Sequence, residues 1–172
     1  MKENTIKGLD PHSKIWVKLF EFISGYHHDK YWRRRRKVVE KDSKTNTLLK
    51  LYYLFYIKRV DAKFHCTFGT NLNSGATFST PPLLLHGPSG IIVGHSVKVG
   101  KNCTIFQQVT IMHSWEKETI IGDNVILGAG CKILPGVHIG DNAKIGANAC
   151  VTEDVPSCAT VVPQKARIII KK

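Results

Sequence analysis

The sequence predicts a mainly β protein, a parallel β-helix of six-residue repeats that follows a basic α-helical segment. Two observations predict it: aliphatic residues recur at every sixth position in the C-terminal part, and the composition changes near residue 60. Residues 1–60 contain 15 basic, 6 acidic and 2 glycine residues, whereas residues 61–172 contain 10 basic, 7 acidic and 12 glycine residues. We therefore divide the chain into a helical segment, residues 1–62, and a β-helical domain, residues 63–172.

The repeat runs in two phased blocks, and most of its aliphatic residues are followed four positions later by a small or short-branched residue. A period of six fits neither an α-helix nor an amphipathic strand, but it fits a coil in which each hexad is one short strand and one corner. An earlier copy of the pattern runs from Leu72 to Phe78. Coils stack at strand spacing, roughly 4.8 Å, so the inward residues are expected to form one column: Val93, Val99, Ile105, Ile111, Ile121, Leu127, Ile133, Ile139, Ile145 and Val151.

Two interruptions of the repeat contain the candidate functional residues. The first, between Phe78 and Val93, includes the sequence HGPSG, which begins at His86. The second, between Ile111 and Ile121, includes another histidine and a tryptophan. A β-helix accommodates insertions as outward loops, and such loops commonly carry function.

The spacing of apolar residues predicts three helices before the repeat. The first ends at Gly25, a typical residue after a helix C-terminus, and the second spans about Asp29 to Lys41. The third spans Asn46 to Val60 and has too many apolar residues for one narrow stripe, so we expect it to pack on two sides.

Composition also excludes several classes of protein. The N-terminus lacks the apolar core of a signal peptide, and no window reaches the length of a membrane span. Five cysteines without a C-x-x-C pair argue against a disulfide framework or a cysteine zinc site, so we expect reduced thiols in the cytoplasm. The basic run Arg33–Lys37 is either a solvated helix face or a contact for an anionic glycan, a lipid-linked phosphate or the inner membrane surface. No nucleic-acid motif accompanies it.

Residues 70–169 resemble the left-handed β-helix, or hexapeptide-repeat, acyltransferases. The resemblance rests on HGPSGIIVG (86–94), KNCTIFQQVTI (101–111), the long repeat 121–156 and PQKARII (163–169). Within that family the sequence is most similar to serine acetyltransferases and their relatives from capsule and exopolysaccharide gene clusters; the basic N-terminal stretch resembles the latter. The resemblance implies a left-handed coil and an acetyl-CoA-dependent O-acetyltransferase. It also implies a homotrimer, with a dimer of trimers as a further option, and active sites between neighbouring prisms.

By this resemblance His86 stands where the family keeps its catalytic histidine. An imidazole with a pKa near neutrality can take the proton from an acceptor hydroxyl, whose oxygen then attacks the thioester directly. Asn71 stands where serine acetyltransferases keep an aspartate partner, and Leu85 where they keep an acid. Their Arg-His pair falls near Lys117-Glu118 and is absent. A zwitterionic amino acid needs charged partners, so we prefer a sugar hydroxyl of a polysaccharide pathway as acceptor and keep serine as the alternative.

The remaining site residues are candidates for acceptor or cofactor binding. Acceptor contacts are expected from His95, His113, Trp115 and Glu118, whereas His138 is expected to be an exposed wall residue. The resemblance places the coenzyme A arm along small residues of the repeat and its phosphates near basic residues, with no metal involved. The expected cofactor-binding residues are Gly128, Ala129, Lys144, Gly146, Ala147, Lys165 and Arg167.

Two other functions stay open at this point. A β-helical zinc carbonic anhydrase needs three converging histidines, two of them close in sequence, and the spacing of the histidines here argues against it. A non-catalytic saccharide-binding or scaffold β-helix would fit the fold but would leave the His86 loop without a role.

Overall fold

The computed structural model describes residues 23, 25–165 and 168–169. Two helices precede the β-structure: α1 (His28–Val39) and α2 (Thr47–Phe64). Helix α2 begins where the Asn46 side chain accepts a hydrogen bond from the Leu48 amide at 2.9 Å, and it ends at His65, which has a left-handed φ of 50°. Both helices confirm the prediction, although α2 continues four residues past Val60. The helix predicted before Gly25 lies outside the described residues, except for Ile23.

Helix α1 packs on the first coil of the β-structure, and α2 packs on α1. The face of α1 buries Tyr31, Trp32, Arg35 and Val38. Trp32 lies with its ring centroid 5.0 Å from Phe68 and 4.8 Å from Phe78. The opposite face of α2 is exposed within the described part of the chain, so the predicted two-sided packing is not seen there. Its exposed apolar residues are Leu48, Leu49, Leu51, Tyr52 and Phe55.

The described residues that follow the helices form a left-handed parallel β-helix of about four turns, as predicted. Its three parallel sheets contain two-residue strands that recur once per coil. The first sheet contains β1 (Thr67–Phe68), β5 (Ile92–Val93), β8 (Thr110–Ile111), β11 (Lys132–Ile133) and β14 (Cys150–Val151). The second contains β4 (Thr77–Phe78), β6 (Lys98–Val99), β9 (Ile120–Ile121) and β12 (His138–Ile139). The third contains β7 (Thr104–Ile105), β10 (Ile126–Leu127), β13 (Lys144–Ile145) and β15 (Thr160–Val161).

The core is the predicted column of aliphatic side chains. All ten residues at the six-residue period, from Val93 to Val151, are at most 3% exposed. The small residues four positions later are buried as well, from Val97 and Cys103 to Ala149 and Val155. Equivalent residues pair across neighbouring coils, Val93 with Ile111 and Ile111 with Ile133, so each coil buries the apolar face of the next.

The first coil departs from the predicted register. A short antiparallel hairpin of β2 (Thr70–Asn71) and β3 (Ser74–Gly75) is inserted between β1 and β4. Leu72 lies in the turn of this hairpin and is half-buried, so its prediction as an inward repeat residue is wrong. The inward position of this coil belongs instead to Phe68, which pairs with Val93 and is fully buried.

Candidate functional site

The predicted catalytic histidine lies in a tight loop at one edge of the β-helix. Residues 84–90 connect Leu83, which is bridged to Thr104 of the third sheet, to β5 of the first sheet. Gly87 and Gly90 have φ values of 69° and 66°, a left-handed conformation that favours glycine. The loop is held to α2 by a hydrogen bond from the Gly90 amide to the Phe64 carbonyl at 3.0 Å. The loop therefore fixes the backbone around an exposed imidazole.

The corners that follow on this edge form a row below the loop; we call the residues 84–90, 106–108, 128–130 and 146–148 the His86 edge. The His86 ring lies 5.8 Å from the ring of Phe106 in the next corner. The following corners contain Gly128, Ala129, Gly146 and Ala147, four of the predicted cofactor residues. Their small size has a packing reason, because a Cβ on Gly128 would lie 2.7 Å from the Ala147 amide nitrogen.

The His86 edge also contains an amide oxygen that lacks a partner. Gln107 Oε1 is buried and accepts no hydrogen bond within the described residues. A buried acceptor without a partner is costly, so a ligand N–H at this edge would restore a lost interaction. Lys144 and Lys165 are exposed, and Arg167 lies outside the described residues. The row of small corners, together with one buried acceptor that lacks a partner, fits an extended ligand that contains amide groups.

The predicted acceptor residues gather at a different edge, between the first and second sheets; we call residues 69–76, 94–97 and 112–119 the Asn71 edge. The Asn71 side-chain amide lies 3.3 Å from Nδ1 of His95. The His113 ring covers Gly94, where a Cβ would meet its Nδ1 at 2.7 Å. Trp115 is 83% exposed and stands perpendicular to the His113 ring at 5.0 Å. Asn71, His95, His113 and Trp115 are therefore brought together.

Glu118 and His138 lie beside this group and interact with other residues. The Lys98 ammonium donates to Glu118 Oε2 at 2.7 Å, and His138 Nε2 lies 3.1 Å from the Glu118 carbonyl oxygen. His138 is exposed, as expected of a wall residue. The His138 amide donates a hydrogen bond to the carboxyl of Asp154, and the Lys117 ammonium pairs with the same carboxyl. Both interactions lower the pKa of Asp154.

His86 and Asn71 lie at different edges of the prism. They are 15 residues apart in sequence, but the Asn71 hairpin leaves the first sheet whereas the His86 loop enters it. Within one chain the hydrogen-bonding partner of Asn71 is His95. One chain alone does not bring Asn71 and His86 together, so their pairing stays a prediction.

A buried arginine holds the hairpin that carries Asn71. Arg35 is 3% exposed, and its Nη2 donates to the carbonyl oxygens of Phe68 and Ala76, both at 2.6 Å, on either side of the hairpin. Its Nε donates to Thr70 Oγ1 at 3.0 Å. Burial lowers the pKa of Arg35 to about 10, which still leaves it charged at neutral pH.

Lys50 and α1 hold the turn of the same hairpin. The Lys50 ammonium donates to Asn73 Oδ1 at 2.7 Å and to the Glu40 carbonyl at 2.9 Å, and the Asn73 amide donates to the Val38 carbonyl. Sequence reasoning missed these roles because it treated the basic residues as surface charge. The signal that could have found Arg35 is its helical spacing from Tyr31, Trp32 and Val38.

The basic run therefore does not form one cationic face. Arg35 is buried, and the guanidinium of Arg34 stacks on three tyrosine rings of α2, at 4.3 Å from the centroid of Tyr56. The prediction of a contact through Arg33–Arg36 is wrong for Arg35, which solvent does not reach. Arg33, Arg36 and Lys37 are exposed.

Within residues 23, 25–165 and 168–169, no group of three His, Cys, Asp or Glu side chains is placed to hold a metal ion. Neither helix in the described part of the chain is long and apolar enough to cross a membrane.

Residues 118–153 match the sequence model of a protein family described as bacterial transferase hexapeptide (six repeats). The repeat region is therefore similar to that of hexapeptide-repeat transferases. Serine acetyltransferases are among the curated relatives of the chain. That of Synechococcus elongatus is 36% identical over 107 residues, which are 60% of this chain and 43% of the relative. That of Bacillus subtilis is 26% identical over 172 residues, which are 98% of this chain and 74% of the relative. The chain thus spans less than half the length of the Synechococcus relative.

Solved structures of serine acetyltransferases share the fold. The Neisseria gonorrhoeae serine acetyltransferase is 27% identical with a TM-score of 0.64, covering 94% of this chain and 60% of that one. A serine acetyltransferase in complex with CoA is 26% identical with a TM-score of 0.63, covering 88% of this chain and 59% of that one. These similarities extend over the helices as well as the β-helix.

Proposed function

We propose that the chain is an acetyl-CoA-dependent O-acetyltransferase whose acceptor is L-serine. The observation that carries the proposal is the His86 loop at the head of a row of small corners, in a β-helix whose relatives are serine acetyltransferases. The relatives favour serine over the sugar hydroxyl that the sequence led us to prefer.

The proposed reaction is a direct transfer. The imidazole of His86 takes the proton of the acceptor hydroxyl while the oxygen attacks the thioester carbonyl carbon. The tetrahedral intermediate expels the coenzyme A thiolate, and the imidazolium returns the proton to that sulfur. No covalent acyl-enzyme is needed: Cys66, Cys103 and Cys131 are buried, and the exposed Cys150 and Cys158 do not belong to the His86 edge.

The donor would lie along the His86 edge. Gly128, Ala129, Gly146 and Ala147 leave the backbone accessible to the pantetheine arm, and Gln107 Oε1 can accept one of its amide hydrogens. Lys144, Lys165 and Arg167 are the residues we assign to the phosphates. A serine acetyltransferase of the same fold has been solved with CoA bound.

The two-edge arrangement favours a trimer as the active form. Hexapeptide transferases are typically trimers. A threefold arrangement of prisms can set the His86 edge of one copy against the Asn71 edge of the next, and this would join the base to Asn71, His95 and His113. Pairing of two trimers, membrane contact and a cytoplasmic location stay predictions.

A sugar hydroxyl is the second candidate acceptor, because the residues expected to bind the charged groups of serine are absent. Positions 71 and 85 are Asn and Leu, and Lys117-Glu118 replaces the Arg-His pair. Trp115, 83% exposed on the Asn71 edge, offers a flat ring on which a sugar could stack.

The test measures thiol release from acetyl-CoA by the full chain with L-serine, and separately with a panel of nucleotide sugars. We expect turnover with serine, and a loss of roughly 10²- to 10⁴-fold in kcat for His86→Ala. The matched control is His138→Ala, which removes an exposed histidine from a repeat strand and should leave the rate unchanged. Turnover with a sugar alone would select the second candidate. Full activity of His86→Ala would refute the mechanism.

A further inference from the structure

A groove lies on the side of α1 that faces away from α2, and nothing in the proposed reaction uses it. Its wider part, about 740 Å³, lies between α1, the turn at residues 43–45 and Pro81. A narrower part of about 210 Å³ continues along Val39 towards Phe78. We call this the α1 groove. Its cationic lining residues are Arg33, Arg36, Lys37 and Lys44.

The position of the groove follows from how α1 distributes its basic run. Arg34 faces the tyrosines of α2, and Arg35 faces the hairpin. The other basic residues of the run are therefore available to a third side of α1. There Arg33 and Arg36 meet Lys44 from the following turn, and Lys37 also lines the groove although its ammonium lies 5.8 Å from the centroid of the Tyr53 ring of α2. Residues from two separate segments thus place like charges around one concavity.

These charges exceed the carboxylates that line the groove with them. Asp29 and Glu40 are the acidic lining residues, against four cations. The contact of Arg36 with Glu40 is 4.0 Å long, with both side chains about 60% exposed, and such a pair contributes little. An anion with several oxygens could therefore gain charge-assisted hydrogen bonds that the protein itself does not supply.

The floor of the groove is apolar and rigid. Trp32 is 5% exposed and is wedged between Phe68 and Phe78, whose rings meet it edge to face. Pro81 forms the facing wall. A flat apolar floor beside a basic rim suits a ligand that joins a phosphate to a ring or another apolar part.

We propose that the α1 groove binds a phosphorylated small molecule, with its phosphate held by Arg33, Arg36 and Lys44 and its apolar part over Trp32. Its volume lies in the range of small-ligand pockets, roughly 300–1,000 Å³. None of the residues of the His86 or Asn71 edges that act in the proposed reaction lines it, so the site is independent of acetyl transfer. The concave shape favours a soluble ligand over a lipid headgroup presented by a flat bilayer.

The test titrates the full chain with inorganic pyrophosphate at low ionic strength, by calorimetry and by ³¹P line broadening. Arg33→Gln and Lys44→Gln should each weaken binding roughly tenfold, the effect of losing one charge-assisted hydrogen bond. The matched control is Arg59→Gln, which removes an exposed arginine of α2 outside the groove and should change the affinity less than about twofold. Thermal melts verify that each variant is folded.

Three outcomes would overturn the proposal. Pyrophosphate fails to bind at millimolar concentration, or Arg59→Gln weakens binding as much as the groove variants, which would mean non-specific charge. The third is co-sedimentation with phosphatidylglycerol vesicles that depends on Arg33 while pyrophosphate does not compete, because the phosphate would then come from a membrane.

Discussion

Replacing Arg35 by methionine removes the guanidinium that joins α1 to both ends of the β2–β3 hairpin. Three hydrogen bonds are lost, to the Phe68 and Ala76 carbonyls and to the Thr70 hydroxyl. A hydrogen bond from a charged donor contributes about 1.5–3 kcal/mol, and relief from burying the charge offsets part of the total. We therefore expect a loss of about 2–4 kcal/mol in the free energy of unfolding. That loss corresponds to a decrease of roughly 5–15 °C in Tm.

The assay is denaturant unfolding followed by circular dichroism at one fixed protein concentration. Arg33→Met, on the exposed side of the same helix, is the matched control and should change stability by less than about 0.5 kcal/mol. Arg35→Lys keeps the charge but not the planar fork, so it should fall between the two. The pKa of Arg35 is about 10, so the deficit should be the same at mildly acid and neutral pH. Equal stability of Arg35→Met and Arg33→Met would refute the reasoning.

Three other predictions concern groups whose surroundings the structure defines. Burial raises the pKa of Asp61, which accepts a 2.6 Å hydrogen bond from Tyr31. Because the pKa of this carboxyl is higher in the folded protein than in the unfolded chain, its contribution to stability is fully present at pH values below the unfolded-state pKa. That contribution is lost as the pH rises through the folded-state pKa. Asp61→Asn should therefore be more stable than the parent at neutral pH, with the gap closing in acid; a gap independent of pH would contradict this. Gly94→Ala should displace His113, costing about 1–3 kcal/mol and speeding amide exchange in residues 112–119; unchanged exchange would be inconsistent with the packing. Titration of thiols in the native protein should detect two cysteines, and titration of the denatured protein should detect five. Cys150 and Cys158 are exposed, whereas burial raises the pKa of Cys66 and Cys131 to about 12 and also raises the pKa of Cys103.

The repeat could be predicted residue by residue because its signal is local and redundant. Each inward residue, such as Ile133, is specified by neighbours six positions away on both sides, and the coil has no other way to bury them. The same holds for the apolar spacing of α1 and α2 and for the Asn46 cap of α2, which are encoded within each segment. The sequence did not reveal the hairpin that contains Leu72, because the inward residue of that coil, Phe68, does not follow the six-residue period.

The sequence singled out candidate site residues but did not show how the fold arranges them. Asn71, His95, His113 and Trp115 share an edge, as a common role in acceptor binding requires, while His86 lies on another. The edge of the prism at which a loop lies depends on how many residues each insertion adds to the repeat. Neither insertion adds a multiple of six residues, so the six-residue spacing alone did not show these edges. The preference for a sugar acceptor came from the same residues, and the relatives favour serine.

The sequence by itself determined the β-helix, its aliphatic core and the histidine-bearing loops, because period, composition and motif are properties of short stretches. Only the tertiary structure decided that the five residues of the basic run Arg33–Lys37 have three different surroundings: a buried contact with the hairpin, a stack of tyrosines and an open groove. The physical reason is that charge in a sequence carries no direction. A helix turns consecutive side chains by about 100°, and what each one meets depends on the elements packed around it.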